Sequence, residues 1–384
     1  MPLRPFAARL AGILVAGLVA TPAFAGEFTD AAGRRLMLPD HIDRAMAADM
    51  SAEVLVFVLA PDKLVGWAQT PSGALPPHAK HVPLIGPIAD PGATATITRL
   101  KPDVIIDVGE VTPDRAAFAD QVTQATGTPY ILLDGSFDRM ATMLRVAGRL
   151  LGVADRGDDL AGSAEHAINS LRGQLLIDSA VNRPRVYYGL GTNGLEPALP
   201  GSPAAAAIED AGAINVAALP SAAGPVAVTR QQIQEWNPDI IIAESPAFYN
   251  SLLHDPGWRT LAAVRDKHVY LEPQAPFGWI DDPPGVNRLI GLYWLSVLLY
   301  PSANQSDVRS LAQDFYDKFY GITLTDKQID AIAKTAGIPA SDTPHLADLP
   351  LGGTGIAPGN APPGRGGMTL PQMPTTTPSY LMPK

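Results

Sequence analysis

The densest run of contact-competent side chains is Pro276-Phe277-Gly278-Trp279-Ile280-Asp281-Asp282-Pro283-Pro284, with Asn287-Arg288 close behind. Prolines stiffen such a loop, aromatic faces suit a planar or bulky ligand, and a guanidinium suits an anionic one. Phe277, Trp279, Asp281 and Arg288 are therefore candidate ligand contacts. The same residues also have a structural reading, with the rings capping the core and an aspartate capping the next helix. Trp67, Tyr188 and Tyr249 join the candidates because each falls in a loop expected at the carboxyl end of a strand, where parallel α/β sheets hold their ligands. The other loops placed at strand ends are Ala48-Asp49-Met50, Gly86–Asp90 and Gly109-Glu110.

Other chemistries find less support. His78-Ala79-Lys80-His81 offers two imidazoles, but Pro76-Pro77 and Pro83 mark it as an exposed loop, and the remaining histidines (41, 166, 254, 268 and 345) are scattered. A bare transition-metal site needs three or four converging ligands, so no protein-ligated metal is expected. Gly189-Leu190-Gly191-Thr192-Asn193-Gly194 matches a dinucleotide fingerprint, yet Pro197, Pro200 and Pro203 follow where the phosphate-binding helix should begin. Its glycines are expected to let backbone line a cleft. There is no Gly-x-Ser-x-Gly elbow and no cysteine, which removes thiolate metal sites, disulfides and cysteine nucleophiles together. Nothing in the sequence argues for an enzyme, and no catalytic residue is nominated.

The elements that must position these residues are announced by a phrase used twice. Leu100-Lys101-Pro102-Asp103-Val104-Ile105-Ile106-Asp107 is echoed by Trp236-Asn237-Pro238-Asp239-Ile240-Ile241-Ile242-Ala243, 136 residues later counting from Pro102 to Pro238. In each copy a helix-like stretch stops at a proline, and a β-branched run of the kind buried on both faces follows. That spacing is too long for a solenoid unit and suits one domain. Strand and helix signals alternate around both copies, which predicts parallel sheets flanked by helices. Residues 137–176 show only helical periodicity, with Gly152 and Gly157 expected to divide it. The fold class expected is α/β, with two similar lobes at 26–154 and 180–336 bridged by one rigid helix at 155–179. Limited closure on binding is expected from that stiff connector.

The ends read differently. Arg4 and Arg9 precede the apolar stretch 10–20, and Ala23-Phe24-Ala25 supplies small residues for cleavage, the pattern of a secretory signal peptide at 1–25. Without cysteine, the exported chain is expected to carry no lipid anchor and to work in the periplasm. Removing the leader leaves 26 basic against 38 acidic groups, a formal charge of −12. An acidic chain lacking a basic run is a poor partner for nucleic acid. With 46% hydrophobic residues, two good cores are within its reach. The Pro/Gly-rich stretch 337–384 is expected to be disordered.

Several motifs in order, Thr29-Asp30…Gly33-Arg34, Leu64-Val65-Gly66, the two Pro-Asp turns, Trp258-Arg259…His268-Val269-Tyr270 and Asn287-Arg288-Leu289-Ile290-Gly291-Leu292, resemble the periplasmic substrate-binding proteins of ABC importers. The branch resembled takes iron-siderophore complexes, haem and vitamin B12 between two lobes joined by one long helix. The resemblance implies a monomer that takes a metal chelate, iron-siderophore first and corrinoid or haem next, and delivers it to an ABC permease. An oxyanion such as molybdate is the alternative ligand. Members commonly present a glutamate to the permease from the helix before each Pro-Asp turn. Ala95 and Gln231 stand at those positions, which puts docking in doubt and keeps open an accessory or sensor role.

Overall fold

The computed structural model describes residues 24–69, 71, 82–86, 88, 93–178, 183–219, 226–301 and 307–338. The His78–His81 pair and nearly all of the expected leader and tail lie outside them. A first hairpin pairs β1 (Phe24–Thr29) with β2 (Arg35–Pro39). The last two residues of the expected leader, Phe24 and Ala25, thus belong to β1. Next come β3 (Ala45–Ala47), α1 (Met50–Leu59), α2 (Ala93–Leu100), β4 (Val104–Gly109), α3 (Pro113–Thr126), β5 (Tyr130–Asp134) and α4 (Met140–Leu150). The strands form a parallel sheet in the order β3-β4-β5.

Helix α5 (Ala154–Asp178) has 25 residues, about 37 Å at 1.5 Å per residue. It leads to the second sheet, built from β6 (Arg185–Leu190), β7 (Glu196–Pro197), α6 (Pro203–Asp210), β8 (Ile214–Asn215), α7 (Arg230–Trp236), β9 (Ile240–Ala243), α8 (Pro246–His254), α9 (Ala262–Arg265) and β10 (Val269–Leu271). β10, β9, β6 and β8 run parallel, and only β7 is antiparallel. Helices α10 (Arg288–Leu299), α11 (Val308–Phe315) and α12 (Asp326–Ala336) complete the chain. Gly337 caps α12 at φ 67° and Ile338 is buried, so the ordered fold runs two residues into the expected tail.

The repeated phrase builds the same device twice. Lys101 (φ 49°) and Asn237 (φ 43°) take the left-handed turn that ends each helix before its proline. The next aspartate then accepts from the backbone entering the neighbouring strand. Asp103 Oδ2 receives Arg44 N–H at 2.8 Å, and Asp239 Oδ2 receives Arg185 N–H at 2.9 Å. In return Arg44 and Arg185 each donate to a carbonyl at the end of that helix, Leu100 O and Trp236 O, both at 2.7 Å. Each turn is thereby locked to the first strand of its sheet.

Alternation along the strands feeds helices on both faces. Val104, Ile106 and Val108 face α1 and α4, while Ile105 faces α2 and α3. In the second sheet Val186, Tyr188, Ile240 and Ile242 face α6 and α10, and Tyr187 and Ile241 face α7 and α8. The inner faces of both sheets share one continuous core, where two separate cores were expected. α1 lies inside it, buried all round from Ala52 to Leu59, as a helix apolar on every face must be. Gly152 does end α4, with φ 72°. Gly157, by contrast, sits inside α5 and faces Gly148 of α4, where a Cβ would come within 2.7 Å of the opposite backbone. Both glycines serve close helix approach.

Candidate functional site

The clearest anomaly in the first sheet is Asp107, a carboxylate in a row otherwise made of Met46, Ile105, Tyr130 and Leu132. It is 4% exposed and has two partners on its own face of the sheet. Tyr130 of β5 donates its hydroxyl at 3.0 Å, and Arg115 of α3 pairs with it through Nη2. The same Nη2 lies 3.2 Å from Asp49 Oδ2. Gly109 makes room for the guanidinium, since a Cβ there would meet Arg115 Nη1 at 2.0 Å. Asp49 also caps α1 by accepting the Ala52 N–H at 2.8 Å. Burial raises its carboxyl to about 7, with the nearby Asp107 charge pushing the same way.

One turn along α1, Glu53 is buried to 2% and turns its carboxyl toward the loop after Trp67, accepting the Ala68 N–H. Desolvation raises Glu53 to about 8, so at neutral pH it is mostly protonated. Asp49, Met50, Gln69, Asp107, Arg115 and Phe118, among others, line a pocket of about 530 Å³, while Glu53 lines its smaller neighbour. A second pocket of about 150 Å³ shares Met50 and Gln69 with it and continues to Gln274, Phe277 and Asp282 of the other lobe. The two form one cleft floored by strand-end loops.

The second lobe's wall is anchored by Glu272, which is fully buried and accepts from Tyr188 Oη and Ile280 N–H, both at 2.5 Å, and from Gln274 Nε2 at 2.8 Å. Burial keeps Glu272 well above the ordinary carboxylate range and Asp281 up at about 6. Glu244 accepts the Gly191 N–H at 2.5 Å and so fixes the glycine loop. Gly189 and Gly194 of that loop give way to Phe248, whose ring a Cβ at either position would strike within 2.5 Å. Their role is packing against Phe248, where a cleft-lining role was expected.

The structure separates the seven sequence candidates. Phe277 lines the cleft while its ring also packs on Phe57 and Tyr320. Asp281 adjoins the lining residue Asp282 and lies 3.4 Å from the Tyr188 hydroxyl. Tyr188 itself is wholly buried beneath the wall. Trp67 is 3% exposed and packs on Phe57, leaving Ala68 and Gln69 to reach the pocket. Trp279 is a core residue, its indole donating to Tyr316 Oη at 3.1 Å and its ring set edge-on to Trp294. Gly291 permits this, since a Cβ there would overlap the Trp279 carbonyl. Arg288 is 6% exposed, pairs with Asp210 at 3.2 Å and lies over the Phe137 ring, away from both pockets. Tyr249 packs on the outer core of the second lobe and joins neither pocket.

Sequence reasoning placed Asp49 and Gln69 in strand-end loops without singling them out, and it missed Glu53, Asp107, Arg115 and Tyr130 altogether. One signal was present: at the repeat position where the second copy has Ala243, the first has Asp107, a charge inside a buried strand.

Two mainly parallel sheets, a single long helix between them and a ligand-sized cleft at their strand ends define a two-lobed solute-binding protein. The chain belongs to the periplasmic binding protein family, whose family model matches residues 47–276. It is 27% identical over 346 residues to the molybdate-binding protein MolA of Haemophilus influenzae, covering 81% of this chain and 97% of the relative. It superposes on an ABC transporter solute binding protein from Sulfurospirillum deleyianum with a TM-score of 0.74 at 25% identity, covering 80% and 99% of the two chains. CeuE of Helicobacter pylori, in its Ni-His complex, shares the fold with a TM-score of 0.60 at 15% identity, covering 80% and 98%. The family supports binding and delivery to an ABC permease over catalysis. Among the described residues no helix is long and apolar enough to cross a membrane.

Proposed function

We propose that this periplasmic binding protein captures a metal chelate in the interlobe cleft and presents it to an ABC permease. An iron-siderophore complex is the first choice, and a corrinoid or haem the second. The observation that carries the reading is the cleft itself. Its larger chamber alone, about 530 Å³, falls in the range of drug-sized ligands, and a tetrahedral oxyanion would fill only a small part of it. Among the described residues no group of three or more His, Asp or Glu stands close enough to hold a bare metal ion. A metal entering here would bring its own ligands.

The second reading is an oxyanion, favoured by the molybdate-binding relative at 27% identity. In that case Arg115, among the described residues the only guanidinium lining either pocket, would be the anchor. Ala95 and Gln231 are both exposed, and Gln231 Nε2 donates to Glu235 Oε1 at 3.0 Å, so Glu235 is the carboxylate that α7 offers a partner. Native mass spectrometry of protein from its own periplasm, beside a denatured sample, tests the ligand. An adduct with an iron or cobalt isotope pattern, lost on denaturation, supports the chelate; a molybdate-sized adduct overturns it.

A further inference from the structure

We infer that the cleft discriminates by ligand charge, favouring metal chelates with net positive charge and rejecting anionic ones; this rests on the chelate reading above. The site is the cleft already described, and the inference concerns the sign of its walls. Among the described residues Arg115 is its one lining cation, and that guanidinium is already bound to Asp107 and Asp49. The pocket edge adds Asp114, which is exposed, and the opposite lobe adds half-buried Asp282. Among the described residues neither has a cationic partner.

Behind the second wall stand Glu244, Glu272 and Asp281, again without an ion pair, because nearby Arg288 is drawn to Asp210. The first-turn amide of α1 that an incoming anion would use is taken by the Asp49 side chain. Even with Glu53 protonated, the described lining sets the carboxylates of Asp107, Asp114 and Asp282 against one guanidinium, a negative balance. Low-dielectric walls carrying one sign of charge concentrate ligands of the opposite sign and repel their own.

A matched ligand series isolates charge from shape. Ferrioxamine B is a neutral ferric trihydroxamate core with one free ammonium. Its N-acetyl derivative is neutral and its N-succinyl derivative carries one negative charge. Titration of the full chain with each, followed by tryptophan fluorescence, should give affinity falling in that order by about tenfold or more from first to last. The Asp114→Asn/Asp282→Asn double variant should flatten the series. Equal affinities for the three, or the reverse order, overturn the charge inference while leaving the chelate reading intact.

Should none of the three bind, a ferric hydroxamate is ruled out as the ligand and molybdate becomes the probe. Molybdate binding that strengthens about tenfold in the double variant still supports anion rejection. Molybdate binding that is unchanged, or undetectable in both proteins, overturns it.

Discussion

At the residue scale, Glu53 and Asp49 give the cleft a pH dependence whose sign can be worked out. In the unfolded chain they ionise near 4.5 and 3.8, and in the fold burial carries them to about 8 and about 7. Between those limits the folded state holds protons that the unfolded state has released. Their contribution to stability is complete below the unfolded values and is lost as pH rises through the folded ones. The urea midpoint should therefore fall between pH 5 and pH 8. Glu53→Gln, which keeps an acceptor for the Ala68 N–H and cannot ionise, should show a shallower fall over the same interval. A wild-type midpoint that is flat or rising there would contradict this account of Glu53 and Asp49. The Asp107 cluster belongs to the same scale. A buried carboxylate persists only with partners, and Arg115 and Tyr130 supply them from two different elements.

At the element scale, the connector works because α4 and α5 approach closely. Gly148 and Gly157 meet backbone to backbone, and Arg145 adds a bidentate pair to Glu165 at 2.6 and 2.8 Å. A methyl at position 148 would have to displace the opposite main chain, since no flexible side chain is there to yield. Gly148→Ala should destabilise by about 1–3 kcal/mol, the usual cost of overpacking. A thermal melt at or above the wild-type temperature would show that the helices can separate without loss. The first turn of α5 has a further fastening. Arg156 donates to Val58 O of α1 at 3.2 Å and to Lys318 O beyond α11 at 2.7 Å, so one side chain joins elements of both lobes.

At the scale of the whole molecule, the lobes share a core as well as a connecting helix. Phe57 of α1 sits edge-on to Phe277 with centroids 5.7 Å apart and lies 6.0 Å from Tyr320, so an N-lobe ring is embedded among C-lobe rings beneath the cleft. This strengthens the expectation of limited closure, because wide opening would expose that aromatic contact to water. Phe57→Ala should cost about 3–5 kcal/mol in denaturant unfolding, the range for deleting a buried phenylalanine. It should also weaken ligand binding through the displaced Phe277. Binding and stability both at wild-type values would show that the shared core does not hold the cleft.

Much of this architecture is written locally. A proline preceded by a residue that tolerates the left-handed turn, then an aspartate, then β-branched residues, yields the same helix stop and strand start at Lys101–Val104 and Asn237–Ile240, because steric rules act within a few bonds. That is why the sequence alone determined two α/β lobes and the long helix between them, and pointed to the strand ends where the cleft lies. Which side chains face the ligand is decided by contacts between residues far apart in the chain. A tryptophan in a proline-rich loop looks the same in sequence whether the loop turns toward the cleft or the core. Trp279 turns inward because Gly291 and Tyr316 are there to receive it. Arg288 looks available until folding brings Asp210 beside it, and Asp107 looks misplaced until folding supplies Arg115 and Tyr130. Tertiary structure decided the setting of each described carboxylate in the cleft, because its burial and partner exist only once the distant elements have met.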